Sequence, residues 1–413
     1  MRLIPDKLLA GFLFSTLLLG ACGGGNAPGG GGGGGGGGNQ GLKNLSFGTP
    51  TTLPAGTVPS KAQSLFVSDF TNDQKLDFAV INDAISVFVG NGDGTFQAKK
   101  DATKNPAATT PTALAAGEFD TLPNVDLVTS MNGNQVDIFF DPNQDGQFAD
   151  NAPFAAGTAP EGVAVADFNG DGKPDIATAN GAEGFLTVKL NNGGVTFADH
   201  SFNSGGKLTG PRNLVAADFN GDNKPDVAIA DFGGDRLAVW TNTGDANPAN
   251  LFPAANLNNT LALPAGAGVQ GVMTADFNGD SKPDLAAANP NGKNVSVFLN
   301  QGGGNFTAGP LLPAGADAFA AAAADFNKDG KLDLVVVNAF GVNGTDGDFC
   351  VYLGKGDGSF EAPKTFTAGV DAASLPNHPR SVAVGDFNGD GKPDLVVANS
   401  PGDSVAVILN TSN

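Results

Sequence analysis

Residues 167–175 read DFNGDGKPD. Asp167, Asn169, Asp171 and Asp175 alternate with Phe, Gly, Gly, Lys and Pro. Four oxygen-bearing side chains are thus set around two glycines that let the backbone curl tightly. Nearly the same string returns at 218–226 (DFNGDNKPD), 276–284 (DFNGDSKPD), 325–333 (DFNKDGKLD) and 386–394 (DFNGDGKPD). DFTNDQKLD at 69–77 is a further copy, and EFDTLPNVD at 118–126 a degraded one. The first acidic residues of the seven strings are spaced by 49, 49, 51, 58, 49 and 61 residues.

A repeat of about 50 residues is too long for a leucine-rich solenoid rung and suits a four-stranded propeller blade. Each unit reads alike. A run of small and branched residues precedes the string, as in GVAVADF (162–168), and a second follows it, as in DIATAN (175–180). An alternating stretch such as NVSVFLN (294–300) comes next, then a Gly-rich turn and a fourth stretch such as GNFTAGPLL (304–312). The runs are short, β-prone and bounded by Gly, Pro and Asn, which marks strands. The inner stretch is poor in bulk, as in AAAAADF (320–326), and fits strands crowded around an axis. The expected fold is all-β, a seven-bladed propeller of four-stranded blades. The seventh unit stops at Asn413 after its third stretch, while NLSFGTPTTLPAG (44–56) precedes the first unit unpartnered. The N-terminal strand is therefore expected to complete the last blade and pair otherwise open sheet edges.

The acidic string suits a hard cation. Ca²⁺ takes six to eight oxygens from carboxylates, amides, backbone carbonyls and water. Positions 1, 3, 5 and 9 offer four side-chain groups, and the carbonyl of position 7 can add a fifth. The strings carry 21 acidic residues and seven lysines, a local charge of −14 within a protein of net charge −20. Bound Ca²⁺ would offset that repulsion. An EF-hand begins similarly but needs Glu at position 12, where Thr178 stands, and helices on both flanks. Mg²⁺ resists all-protein cages. Metal-free Asx and Gly turns are the plain alternative. Asp141, Asn143 and Asp145 offer a secondary candidate cation site.

Repeated DFNGDGKPD followed by D-[IL]-[AV]-x-A-N resembles the FG-GAP/VCBS-type repeat of integrin α-subunit propellers and bacterial surface proteins. The resemblance covers essentially all of 44–413. It implies a seven-bladed β-propeller with Ca²⁺ in the hairpin between the first two strands of a blade. Carried over by position, the implied ligands of the clear copies are Asp167, Asn169, Asp171 and Asp175; Asp218, Asn220, Asp222 and Asp226; Asp276, Asn278, Asp280 and Asp284; Asp325, Asn327, Asp329 and Asp333; and Asp386, Asn388, Asp390 and Asp394. The first string supplies Asp69, Thr71, Asp73 and Asp77, with Thr in place of Asn. The second supplies Glu118, Asp120 and Asp126, but Leu122 stands at position 5 and puts that site in doubt. Five to seven calcium ions are expected. The Phe at position 2 packs between blades in the family.

The N-terminus reads as targeting sequence. Arg2 and Lys7 precede the apolar stretch LLAGFLFSTLLLGA (8–21), which is too short to span a bilayer comfortably. Leu19-Gly20-Ala21-Cys22 resembles a bacterial lipobox, with Cys22 the lipidated residue. Residues 1–21 are then a lipoprotein signal peptide. Residues 22–43, including ten consecutive glycines, are a tether that cannot fold. Residues 44–413 are the propeller. The expected location is the cell envelope, at the outer membrane or cell surface. Cys350 would be the only thiol left, read as a small buried hydrophobe in a strand.

The acidity argues against nucleic acid as a partner. His200 and His378, the only histidines, stand in no catalytic or zinc spacing. The expectation is a non-enzymatic, monomeric, calcium-stabilised surface propeller for adhesion or ligand binding, its partner an extracellular or envelope protein or glycan. A carbohydrate-binding or carbohydrate-active propeller is the alternative, although Trp240 and Tyr352 are the only Trp and Tyr. An envelope-complex scaffold is a third reading. In the family the face opposite the calcium hairpins carries the remaining loops. The residues six before each marker should ring the channel mouth there: Gln63, Thr112, Glu161, Arg212, Gln270, Phe319 and Arg380. Glu161, Arg212 and Arg380 are candidate ligand contacts, with the arginines suited to a carboxylate or sulfate. The long connection 338–349 is another candidate contact.

Overall fold

The structure, a computed structural model, describes residues 42, 44–56, 63–82, 84–103, 110–120, 122, 124–150, 153–193, 196–257, 259–264, 266–340, 347–369, 378–400 and 403–413. The expected signal peptide, Cys22 and most of the expected tether lie outside them, as do residues 341–346 of the long candidate loop.

The short β-prone runs form seven antiparallel sheets. Blade 3 shows the plan, with Pro160–Ala166 innermost, then Asp175–Asn180, Phe185–Asn191 and Phe197–Asn203 in sequence order. Four strands per blade is the rule with one departure. In blade 2 the outer strand is split into Ala149–Asp150 and Phe154–Ala155, both paired with Gln135–Phe140. Blade 4 explains the long spacing of 58 residues. Its third-to-fourth connection holds two short 3₁₀ turns, Pro248–Asn250 and Ala254–Asn256, and returns Leu251, Phe252 and Leu257 to the core.

Blade 7 closes as the sequence predicts. Thr51–Pro54 pairs antiparallel with Ser404–Ile408, Thr51 opposite Val407 and Pro54 opposite Ser404. Phe47 bridges to Asn410 beyond the strand.

The apolar core is divided between neighbouring blades. Seven clusters of buried residues each span two adjacent sheets, the last joining Val67 and Phe78 of blade 1 to Val396 and Val405 of blade 7. The Phe at position 2 of every string is buried at such a seam: Phe70, Phe119, Phe168, Phe219, Phe277, Phe326 and Phe387. Each meets a ring of the next blade edge-on. The partners are Phe148, Phe197, Phe252, Phe306, Phe360, Phe47 and Phe96, with centroids 5.5–6.1 Å apart. Edge-to-face pairs add about 0.5–1.5 kcal/mol each beyond their buried area. For blade 7 the partner ring, Phe47, comes from the N-terminal segment.

One buried charge works against this fold. Asp137, on the third strand of blade 2, is fully buried. Burial, then the neighbouring charge of Asp150, pushes its pKa up to about 7. A carboxyl raised above its unfolded value favours folding below pH 4, and that contribution is lost as pH rises through 7. Asp137→Asn is expected to stabilise the protein at pH 8, by up to about 4 kcal/mol, and to leave it unchanged at pH 4. Urea melts at the two pH values check this; an equal difference at both would refute it.

Candidate metal loops and the channel mouth

Each acidic string forms the turn between the first and second strands of its blade. Positive φ at positions 4 and 6 closes the turn: Gly170 (76°) and Gly172 (83°) in blade 3, Lys328 (57°) and Gly330 (86°) in blade 6. No atom crowds a Cβ at Gly170 or Gly172, so glycine serves the backbone angle there and not close packing.

The oxygens converge on a few amides. In blade 3 Asp167 accepts from the N–H groups of Gly170 (2.7 Å), Asp171 (3.0 Å) and Gly172 (2.7 Å). Asn169 Oδ1 accepts from the same Asp171 N–H at 2.9 Å. Asp218 with Asn220, Asp276 with Asn278, Asp325 with Asn327, and Asp386 with Asn388 repeat the shared contact. In blade 1 Asp69 accepts from Asp73 and Gln74, while Thr71 turns its hydroxyl to Asp77 at 3.4 Å. The position-5 carboxylate is held by the position-7 lysine: Asp73–Lys75, Asp171–Lys173, Asp222–Lys224, Asp280–Lys282, Asp329–Lys331 and Asp390–Lys392, at 2.8–3.6 Å.

Position 9 is different. Asp77, Asp126, Asp175, Asp226, Asp284, Asp333 and Asp394 are fully buried. Asp175 accepts from the Phe168 N–H (2.9 Å) with one oxygen and from the Asn191 N–H (2.8 Å) with the other, tying the turn to the third strand. Asp77, Asp226, Asp284, Asp333 and Asp394 make the same two bonds. Burial, opposed by these amides and reinforced by Asp167 and Asp171, pushes the Asp175 pKa up to about 7. In blade 2 Asp126 keeps the Phe119 contact but lacks the third-strand bond, and its Oδ1 has no hydrogen-bond partner among the described residues. Leu122 is 38% exposed where position 5 belongs, and Asp120 caps its N–H. Glu118 stands at position 1 of this loop, just before Phe119.

The donor set is all oxygen and matches a hard cation. The carboxylates of positions 1 and 5 are close enough to raise the buried Asp at position 9, which is the repulsion a divalent ion would relieve. Among the described residues no three carboxylate, imidazole or thiol groups are arranged to hold a metal ion. A cation here would therefore draw on amide and carbonyl oxygens as well and displace the lysine from position 5. Asp141 and Asp145 act as turn caps, accepting from the Gly146 and Gln147 N–H groups.

At the other end of the innermost strands a cavity of about 350 Å³ opens on the axis. Gln63, Thr112, Glu161, Arg212, Gln270, Phe319 and Arg380 all line it. In five blades the ladder register slips at this residue: Pro111/Ala113, Pro160/Gly162, Pro211/Asn213, Ala318/Ala320 and Pro379/Ser381. Thr112, Glu161, Arg212, Phe319 and Arg380 are the extra residues of these bulges. Arg212 lies 3.8 Å from Glu161 and over the Phe232 ring. Arg380 lies 3.9 Å over the centroid of Phe319. His200 and His378 are in different blades: His200 faces Val188 on the outer strand of blade 3, and His378 packs against Phe340.

A family model for the FG-GAP-like repeat matches residues 124–178, 167–229, 218–287, 276–336 and 339–397. The chain belongs to the FG-GAP-like repeat family. Cartilage acidic protein 1 of Mus musculus is 32% identical over 190 residues, covering 42% of this chain and 28% of that protein. The Xenopus tropicalis protein of the same name is 30% identical over 165 residues, covering 37% and 25%. This FG-GAP-like chain thus spans under a third of the curated relatives' length. Among solved structures, BBS1N in complex with ARL6DN has a TM-score of 0.57 at 11% identity, covering 89% of this chain and 98% of that one. Virginiamycin B lyase from Staphylococcus aureus has 0.56 at 13%, covering 88% and 99%. At these identities the likeness shows the fold alone.

The FG-GAP-like repeats also hold residues that sequence reading missed. Asn242, Asn300 and Asn410, at the ends of third strands, donate to the carbonyls of Phe168, Phe219 and Phe326 in the preceding blade at 2.8–2.9 Å. Their recurrence as the N of NVSVFLN-type endings was the available signal. The double role of Asp175 yields a test. Asp175→Asn replaces an acceptor by a donor facing an N–H, and is expected to cost about 2–3 kcal/mol in chelator, with no metal involved. Asp171→Asn should cost little under the same conditions. Urea melts of the two variants decide; equal losses would refute the assignment.

Proposed function

We propose that this FG-GAP-like propeller is a non-enzymatic binding module, stabilised by calcium in the turns between first and second strands and carried at the cell surface by a lipid on Cys22. The single observation that carries it is the division of labour along the innermost strands. One end repeats the same oxygen-rich turn in blade after blade. The other end is non-repetitive, concave and lined by bulge residues. Loops and bulges at the rim of a rigid scaffold are where recognition is built.

Asp167, Asn169 and Asp171, with their counterparts in the other strings, would hold the ion, and Asp175 and its counterparts would anchor the turn. The ion would supply charge neutralisation and stiffness; the binding would be done by the protein surface. Trp240 and Tyr352 are fully buried, Trp240 donating to the Pro253 carbonyl and Tyr352 to that of Pro313. Neither offers a face to a sugar, which favours a protein partner over a glycan. The test is metal content of the full-length protein, followed by partner capture from envelope extracts at millimolar calcium and in chelator. Five or six ions per molecule with calcium-dependent capture would support the reading. Absence of metal would refute its calcium part.

A further inference from the structure

The channel mouth sets two arginines into one cavity of an acidic protein. The side-chain Nε of Arg380 is buried without a hydrogen-bond partner among the described residues. Its guanidinium carbon lies over the Phe319 ring, 3.9 Å from the centroid. A contact with a ring face uses none of the guanidinium's N–H donors, which can receive a carboxylate bidentately. Burial works against its charge, and the charge of Asp317 works for it. Arg212 is better satisfied, with Glu161 at 3.8 Å and Phe232 beneath it. Among the described residues the facing charges are therefore Arg212 balanced by Glu161, and Arg380 balanced at a distance by Asp317. Both arginines are bulge residues, and a bulge re-aims a side chain at the cost of a ladder bond. The cavity volume lies at the lower end of the range for small-ligand sites.

We propose that the channel mouth receives a carboxylate of a partner peptide, from an acidic residue or from the peptide's own C-terminus, with Arg380 as its binding residue and Arg212 in support. This rests on the reading of the protein as a binding propeller. A peptide is preferred to an acidic sugar because Phe319, the ring at this site, is covered by Arg380. Gln63 and Gln270 on the same rim can pair with peptide amides.

Ligand-observed NMR titration of the full-length protein tests the proposal. The probes are N-acetylglutamate α-amide, with only a side-chain carboxylate, and N-acetyl-alanyl-alanine, with only a terminal one. N-acetylglutamine α-amide is the neutral control, and glucuronate and inorganic sulfate are competitors. At least one carboxylate peptide is expected to bind in the millimolar range and the neutral amide at least tenfold more weakly. Whichever carboxylate binds identifies the source. Arg380→Gln should weaken binding tenfold or more, Arg380→Lys less, and Lys355→Gln, remote from the mouth, not at all. Equal binding of the neutral amide, no effect of Arg380→Gln, or equal binding of glucuronate or sulfate would overturn the proposal. The mouth and the oxygen-rich turns lie at opposite ends of the innermost strands, about 20 Å apart, so the two readings fail separately. Carboxylate binding by a protein that takes up no calcium would keep this proposal and remove the calcium reading. Calcium uptake without carboxylate binding would do the reverse.

Discussion

Chelation of calcium is expected to lower the melting temperature of the full-length protein by about 9 °C. A ligand that binds only the folded state contributes about 1.4 kcal/mol per site at ten times its Kd. The five clear turns, those beginning at Asp167, Asp218, Asp276, Asp325 and Asp386, would then supply about 7 kcal/mol. A propeller of this length has an unfolding entropy near 0.8 kcal/mol/K, which sets the shift. The effect should be graded. Alanine at position 5 of one clear turn, as in Asp171→Ala, should remove about a fifth of it. Leu122→Ala should remove none, because that turn lacks the position-5 carboxylate. The lysines paired with Asp171 and its counterparts make the apo state tolerable, so loss of metal should lower the melt without unfolding the protein at room temperature. Differential scanning calorimetry with and without chelator measures all of this. An unchanged melt would mean that the aspartates serve as turn residues alone.

Removing residues 1–56 is expected to have a still broader effect, while removing 1–41 should have little. The longer deletion takes away the outer strand of blade 7 and the Phe47 ring, which meets Phe326, Phe349 and Phe366 at 5.0–5.9 Å. Ser404–Ile408 would become an open edge, an invitation to intermolecular pairing. Loss of this paired outer strand and of the half-buried ring should lower the melt by more than 10 °C at about 0.8 kcal/mol/K, with oligomers on size-exclusion chromatography. Phe47→Ala isolates the ring and should cost about 2–4 kcal/mol, below the full cost of a buried Phe because Phe47 is partly exposed. A monomeric, equally stable 57–413 fragment would show that the closure is dispensable.

Much of this was legible in the sequence because a repeat multiplies a weak local signal. One DFNGDGKPD string is an ordinary turn; seven at regular spacing count the blades and place the strands. The unpaired stretch 44–56 announced the closure by the same counting of units. The ring of Gln63 through Arg380 was readable because position within a repeat fixes position around an axis. The split outer strand of blade 2 and the core-filling turns of blade 4 were not, since both depend on how an irregular connection finds apolar cover.

By itself the sequence determined the class of fold, the number of blades, the composition of the turns and which residue of each repeat reaches the channel mouth. The first three follow from local periodicity and from glycine, proline and asparagine acting within a few residues, and the last from the resemblance to the FG-GAP/VCBS-type repeat. Only the tertiary structure decided that Asp175 and its counterparts are buried anchors, because burial is set by the third strand and the next blade. It also decided which ring each repeated Phe meets and that Asn242, Asn300 and Asn410 latch onto carbonyls 74, 81 and 84 residues away. Those contacts join neighbouring blades, and their geometry exists only once the two blades have packed together. The stacking of Arg380 on Phe319 belongs to the same class: two residues from successive blades, turned toward each other by bulges that no local propensity encodes.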